Sequence, residues 1–437
     1  MDFMEEETMS EQVAGTDQHV VTTLSLLDEV FGAAKPKDFA VRLWDGTLWG
    51  AQAPDARFTL VLRHPGSLRQ MFVPPTDLSV GEAYIYDDFD IEGDIEAVGE
   101  VADRLDVLSG GATSLLRLGA RLLRLPADGQ TREGRQGATL RGRTHSKQRD
   151  AAAIRYHYDV SNDFYALWLD RNMVYSCAYF ESSDEGLDTA QERKLDYICR
   201  KLRLQPGERL LDIGCGWGGL VMHAARHYGV DATGITLSEA QASLARERIA
   251  DAGLADRCRV EVRDYRDVDE SRPFDKLVSV GMFEHVGAAL LETYFAKAYR
   301  LLRPGGVFLN HGISTNVHTK QSRQPTFSEV YVFPDGQLLP IATTLAEAEG
   351  AGFEVRDVES LREHYALTLR RWVRRLEDHA EEARAATDDV TYRIWRLFMS
   401  VSAYQFAHNQ IAVYQSLLVR PDAGRSGLPL TRQDWYS

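Results

Sequence analysis

The chain has 437 residues, 44% hydrophobic and 26% charged, with a formal net charge of −15. That composition excludes a largely disordered or fibrous protein, and the length suffices for two domains. So acidic a chain repels nucleic acid, whose binding depends on neutralising phosphates.

The start, Met1-Asp-Phe-Met-Glu-Glu, is acidic and lacks the basic residues and apolar run of a signal peptide. No apolar run is long enough for a transmembrane helix. Cys177, Cys199, Cys215 and Cys258 show no CxxC spacing, so neither a zinc site nor a disulfide scaffold is expected. A reducing cytoplasm is the expected compartment. Residues 1–20 are polar and aperiodic, and are expected to be a disordered tail.

Residues 21–110 read as a small α+β domain. Strand-like stretches fall at Ala40–Trp49, Phe58–Arg63 and Gln70–Val73, with turn signals at Asp45-Gly46, Pro54-Asp55 and Pro65-Gly66. Counted from Asp88, the acids Asp88, Asp90 and Glu92 and the glycine Gly93 occupy calcium-loop positions. Position 12, however, is Gly99, where a bidentate Glu is needed. A turn with solvated acids is the better expectation.

Residues 111–150 form a basic segment. Leu115, Leu118, Leu122 and Leu125 share one helical face over Thr113–Leu125, and Arg117, Arg121 and Arg124 share another. From Arg117 to Arg149 there are nine Lys/Arg against two acids, Asp128 and Glu133. A short basic amphipathic helix suits an anionic membrane surface, or packing on a neighbouring domain. Pro126–Arg149 reads as a linker.

From 151 to 437, strands at Arg209–Ile213, Asp231–Ile235, Arg259–Arg263, Lys276–Val280, Val307–His311, Phe353–Val358 and Val413–Leu418 are expected. Amphipathic helices separate the first five, which implies a mostly parallel sheet covered on both faces.

The strongest local signal is Leu210-Leu-Asp-Ile-Gly-Cys-Gly-Trp-Gly-Gly219. A strand ending in Asp212 runs through Gly214, Gly216 and Gly218 into a helix, as a backbone that turns tightly against a ligand requires. The acid two residues before the first glycine, and spacing unlike GxGxxG, favour S-adenosylmethionine over a dinucleotide. After the second strand, Thr236, the Leu237 backbone and Gln241 are ribose candidates; after the third, Tyr265 and Arg266 are positioned to cover an adenine. Glu284 in Gly281-Met-Phe-Glu-His-Val286 and His311 in Asn310-His-Gly-Ile313 reach the same rim from adjacent strand ends. Together they suit a small polar species beside a methyl donor.

Tyr156-His-Tyr-Asp-Val-Ser-Asn-Asp-Phe-Tyr165, Tyr175-Ser-Cys-Ala-Tyr-Phe180, Leu211–Leu220, Gly234–Gln241, Met282–Gly287 and Val332-Phe-Pro-Asp-Gly336 together resemble the cyclopropane-fatty-acyl-phospholipid synthases, which include the mycolic acid cyclopropane synthases. The N-terminal unit is similar to the extra domain of the bacterial phospholipid-acting members. The resemblance implies a class I methyltransferase fold: a Rossmann-like, seven-stranded, mostly parallel sheet with a smaller α+β N-terminal domain. It adds Tyr175 and Ser176 to the cofactor contacts. The implied reaction is attack of a cis alkene in a phospholipid acyl chain on the cofactor's methyl, loss of a proton from that methyl, and ring closure. Bound bicarbonate takes the proton, held by the residues matching Cys177, Glu284, His311, the Ile313 backbone and Tyr365. No metal is implied. A homodimer and peripheral attachment to the inner membrane face are.

Where relatives often carry a cysteine, this chain has Ser402. The carbocation route needs no covalent intermediate, so Ser402 is read as pocket lining. Helix Ile394–Tyr404, with Trp395, Leu397, Phe398 and Val401, is expected to wall the acyl pocket. Three alternatives remain open at this level. One is the same methyl transfer ending in a methylene branch, which a partner reductase converts to a methyl. The others are a small-molecule amine N-methyltransferase and a non-catalytic lipid carrier.

Overall fold

The computed structural model describes residues 17–31, 38–51, 55–104, 112–127, 132–158, 160–319 and 324–436. Two compact units emerge: Met1–Gln136 with Gln324–Phe327 and Asp389–Leu397, and Gly137–Arg323 with Ser328–Asp388 and Phe398–Ser437. Most of the expected N-terminal tail lies outside the described residues, but a helix, Gln18–Phe31, begins within it.

In the first unit β1 (Phe39–Arg42), β2 (Leu48–Gly50), β3 (Phe58–Leu62) and β4 (Phe89–Gly93) form a sheet in the order β2-β1-β3-β4, with β1 and β3 parallel. The expected run Ala40–Trp49 is a hairpin. Asp45 accepts from the amide and hydroxyl of Thr47 (both 2.9 Å), and Gly46 takes φ +89°, so the chain turns back there. Gln70–Val73, expected as a strand, lies mostly in helix Ser67–Phe72; the buried Leu68 and Met71 are three apart, the helical rather than the strand period. The acids of the would-be calcium loop each have a cationic or imidazole partner. Asp87 and Asp90 meet Arg63, Asp88 meets His64 (2.8 Å) and Glu92 meets Arg42.

The basic helix runs Ala112–Leu122, three residues shorter at its end than expected. Leu122 and Leu125 are buried; the Leu115 side chain lies outside the described set. Arg121 does not share the exposed face expected of it: it pairs with Glu29 and donates to the Ser25 hydroxyl (2.8 Å). Exposed instead are Leu116, Arg117, Ala120, Leu123 and Arg124. From Asp389–Leu397, buried Arg393 donates to the Tyr84 and Phe89 carbonyls (2.7 and 2.8 Å), and Arg396 to the Tyr84 hydroxyl (2.7 Å). Trp395 therefore belongs to this unit, where Arg135 lies over its ring. Val401, expected to wall the acyl pocket, is 43% exposed.

The second unit carries β5 (Arg209–Ile213), β6 (Asp231–Thr236), β7 (Cys258–Val262), β8 (Phe274–Val280), β9 (Leu302–Thr315), β10 (Leu339–Pro340), β11 (Glu354–Ser360) and β12 (Ile411–Val419). Seven strands follow the order β11-β12-β9-β8-β5-β6-β7, and two-residue β10 pairs with the end of β9. Strands β5–β9 are parallel, and β12 runs antiparallel between β9 and β11. Alternate strand residues serve two cores. Leu210, Ala232, Val278 and Leu309 pack with Ile198, Val221 and Ala245 on one face. Leu211, Ile213, Leu277 and Phe308 pack with Leu291, Phe295 and Ala298 on the other. Strand β9 extends beyond the expected Val307–His311 because β12 pairs with nine successive residues of it, from Val307 to Thr315. That register sets Gln415 opposite His311.

Candidate active site

A cleft opens where the strand order reverses between β5 and β8, the place where open α/β sheets take ligands. Asp212, Gly214 and Gly216 line it as the chain leaves β5. At Gly214, φ is +88° and a Cβ would stand 2.6 Å from the Met282 Cβ, so no side chain fits. At Gly216 a Cβ would meet nothing within 4 Å; the space beside it belongs to the cleft. Gly218 heads the helix Gly219–Tyr228, and it is Gly219 that lines the cleft.

Asp212 is 2% exposed and its Oδ1 has no partner. Burial pushes its carboxyl up to about 7, against the pull of Lys194. Lys194 is the residue that sequence reasoning missed. Its ammonium donates to the Ser176 hydroxyl (2.8 Å), lines the cleft, and is pushed down to about 8 by burial while Asp170, Cys177 and Asp212 oppose the shift. Tyr175 and Ser176 also line the cleft, in a segment whose carbonyls at Val174 and Ser176 are held by Gln191 (3.2 and 2.8 Å).

At the far end of β6, Thr236 donates to Gln241 Oε1 (2.7 Å), and both line the cleft with Leu237. Tyr265 and Arg266 follow β7. The Arg266 guanidinium is held by Asp264, Asp150 (2.8 Å) and the His145 carbonyl (3.2 Å), over the Tyr265 ring. It therefore supplies a fixed wall rather than free donors. Asp264 lines the cleft too, though only its neighbours were singled out from the sequence.

A second group of polar side chains lies next to the first. Glu284 follows β8 in the short helix Phe283–His285, is 8% exposed, and accepts the Ile313 amide on Oε1 (2.6 Å). Its Oε2 has no partner, and burial pushes its carboxyl up to about 7. The Ile313 N–H is thus committed to Glu284. Tyr365 interacts electrostatically with Tyr175, Cys177, Glu284 and Tyr158, which places these groups together, and Tyr158 and Tyr175 are also cleft residues. Cys177 is fully buried and its thiol donates to the Ala178 and Leu361 carbonyls (3.3 and 3.6 Å); burial holds it protonated. A thiol so placed is a donor, not a nucleophile. His311 lies two residues from Ile313 on β9, 1% exposed, with Nε2 unpartnered. Burial and the charges of Lys194 and Lys201 push it down to about 3, so its ring is neutral.

The unpartnered Asp212 carboxyl, the Lys194 ammonium, the space at Gly216 and the Thr236–Gln241 edge fit the amino-acid and ribose ends of S-adenosylmethionine. A sequence profile described as mycolic acid cyclopropane synthetase matches residues 145–416, well over half of the chain. The chain belongs to this family. A domain of unknown function matches residues 26–106. A probable fatty acid methyltransferase of Pseudomonas putida is 42% identical over 400 residues, covering 91% of this chain and 95% of its own. The cyclopropane-fatty-acyl-phospholipid synthase of Escherichia coli is 37% identical over 275 residues, covering 63% and 69%. A mycolic acid cyclopropane synthase complexed with SAH and CTAB superposes with TM-score 0.58 at 35% identity, covering 61% of this chain and 97% of that one. Like its family, the chain is an S-adenosylmethionine-dependent methyltransferase that modifies lipid acyl chains. No helix among the described residues is long and apolar enough to cross a membrane.

Proposed function

We propose that this enzyme converts the cis double bond of an unsaturated phospholipid acyl chain into a cyclopropane, with bicarbonate held by Cys177, Glu284, His311 and Tyr365. The observation that carries the reading is the pair of buried, unpartnered polar atoms, Glu284 Oε2 and His311 Nε2, beside the cofactor cleft. When bound, S-adenosylmethionine supplies an electrophilic methyl, and bicarbonate an acceptor for the proton the product must lose.

What the chain's own residues do follows from their protonation. Tyr365 and Cys177 are kept neutral by burial. Below about pH 7 Glu284 is neutral as well, and can donate through Oε2–H while Oε1 accepts from Ile313. A ring of neutral donors binds an anion without presenting it with a second negative charge. An anion preorganised there also stabilises positive charge developing on the alkene in a site that excludes water. In this reading Ser402, on the helix Asp389–Ala407 and 7% exposed, is pocket lining and not a nucleophile.

A second reading has support of its own. The relative matching across 91% of this chain carries the name fatty acid methyltransferase, whereas the cyclopropane synthase matches 63% of it. Loss of a different proton after the same methyl transfer leaves a methylene branch for a reductase. Mass spectrometry and NMR of lipids from cells with mono-unsaturated membranes and no synthase of their own separate the two. A gain of CH2 with ring proton signals is expected, and an exocyclic methylene at the same mass selects the branching reaction.

Access to an acyl chain requires a lipid surface. The exposed face formed by Leu116, Arg117, Ala120, Leu123 and Arg124, two leucines flanked by two arginines, suits shallow insertion beside anionic headgroups. Replacing Arg117 and Arg124 by Gln is expected to weaken binding to phosphatidylglycerol vesicles by about thirtyfold, at about 1 kcal/mol per charge. Arg121→Gln should cost stability instead, through Glu29. Unchanged vesicle binding by the double variant rejects this face.

A further inference from the structure

Behind His311 runs a chain of buried groups that reaches the other side of β12. Gln415, 1% exposed, stands opposite His311 in the β9–β12 ladder, with its amide nitrogen 3.2 Å from His311 Nδ1. Its Oε1 accepts from the Lys201 ammonium at 2.8 Å. Lys201, fully buried on the helix Leu187–Leu202, also pairs with Glu359, stands 4.0 Å from Asp357, and lies over the rings of Tyr197 and Trp435. From the geometry we infer that Lys201, acting through Gln415, fixes the tautomer of His311, so that its Nε2 carries the proton and points a donor at the reaction space.

The argument is one of donor inventory. A lysine ammonium only donates, so the Gln415 atom facing it is the oxygen, and the amide NH2 faces His311. An NH2 group donates, so His311 Nδ1 must accept and carries no proton. The neutral ring then holds its single proton on Nε2. Nε2 has no hydrogen-bond partner among the described residues, so that N–H is available to an anion. The opposite tautomer would set Nδ1–H against the amide hydrogens of Gln415 and turn a lone pair toward the anion. Lys201 and Gln415 are positioning residues: neither needs to touch substrate or cofactor. This rests on the reading of His311 as an anion contact, but the tautomer itself can be read without turnover.

The experiment is long-range 1H–15N correlation on the full chain labelled with 15N-histidine, with His311 assigned by its loss in His311→Asn. The wild type is expected to give a pyridine-like Nδ1 and a pyrrole-like Nε2. In Gln415→Glu, whose carboxylate accepts from both Lys201 and the ring, the pattern should reverse. Lys201→Met should mix the two forms, and Lys201→Arg should restore the original one. If Lys201→Met does not fold, Gln415→Glu decides, since it is isosteric and keeps the lysine paired. A wild-type Nδ1–H, or a Gln415→Glu spectrum unchanged from wild type, overturns the inference. Steady-state kinetics separate the two claims. With the tautomer reversed, kcat should fall about a hundredfold with KM for lipid unchanged. A reversed tautomer with intact kcat would leave the relay standing and remove His311 from the proposed anion site.

Discussion

The two ends of the active site are built differently. The cofactor end rests on backbone shape: a glycine with no room for a side chain and one that leaves space for a ligand, plus one carboxylate and one ammonium at close quarters. The end around Glu284 and His311 rests on side chains held neutral by burial, with an unpartnered atom on each. The first end recognises charge; the second withholds charge so that an anion can enter. Damage at the two ends should therefore register in different observables.

The largest effect is expected at Glu284. Glu284→Ala removes a preorganised donor and should lower kcat by 10²–10³, about 2.7–4 kcal/mol, with S-adenosylhomocysteine affinity unchanged by calorimetry. Glu284→Gln keeps a neutral donor and should retain more activity. The wild-type carboxyl, raised to about 7, loses its proton as pH rises through that value. At fixed bicarbonate, apparent bicarbonate affinity should therefore fall above about pH 7 in wild type and stay flat in Glu284→Gln. A parallel fall in both variants would merge the two ends into one.

Next comes Gly214→Ala, which combines φ +88° with a Cβ 2.6 Å from Met282. Strain of this kind costs about 1–3 kcal/mol, which should appear as lost stability in thermal unfolding, with S-adenosylhomocysteine affinity falling as the turn shifts to relieve it. Lys194→Met sharpens the contrast within the cofactor end. Affinity for S-adenosylhomocysteine should fall, while 5′-methylthioadenosine, which lacks the amino-acid carboxylate, should bind as before. Because Asp212 ionises as pH rises through about 7 and Lys194 loses its proton through about 8, wild-type affinity should peak between them. Lys194→Met should lose the alkaline limb and Asp212→Asn the acid one; a flat wild-type profile from pH 6 to 9 would refute the pair. Smallest is Cys177→Ala, which deletes one of the four proposed bicarbonate contacts and a thiol that donates to the Ala178 and Leu361 carbonyls; it should cost about 0.5–1.5 kcal/mol in thermal unfolding and lower apparent bicarbonate affinity.

The cofactor end was legible in the sequence because its determinants are local: the Asp212–Gly219 segment is one strand, one turn and one helix start. So was the parallel sheet, whose strands alternate with helices at regular spacing. Lys194 was not. It sits in Glu192-Arg193-Lys194, and nothing local separates a lysine turned into a cleft from the exposed glutamate and half-buried, ion-paired arginine before it. Arg121 misled for the same reason, since its partner Glu29 lies 92 residues away. Gln70–Val73 has β-like composition, but four residues are too few to reveal the three-residue spacing that the structure follows.

The ladder between β9 and β12 sets how this protein can vary. Ala407 ends a helix and Ile411 begins β12, so three residues meter the strand that delivers Gln415 to His311. His408 bonds the Tyr404 carbonyl (2.9 Å) and stacks on its ring, and Asn409 turns the chain at φ +58°. Their number matters as much: one inserted residue would bring Tyr414 opposite His311 and turn alternate side chains to the wrong face. The segment 408–410 should therefore reject single-residue insertions and deletions in a scanning library, because its length sets which residue faces His311.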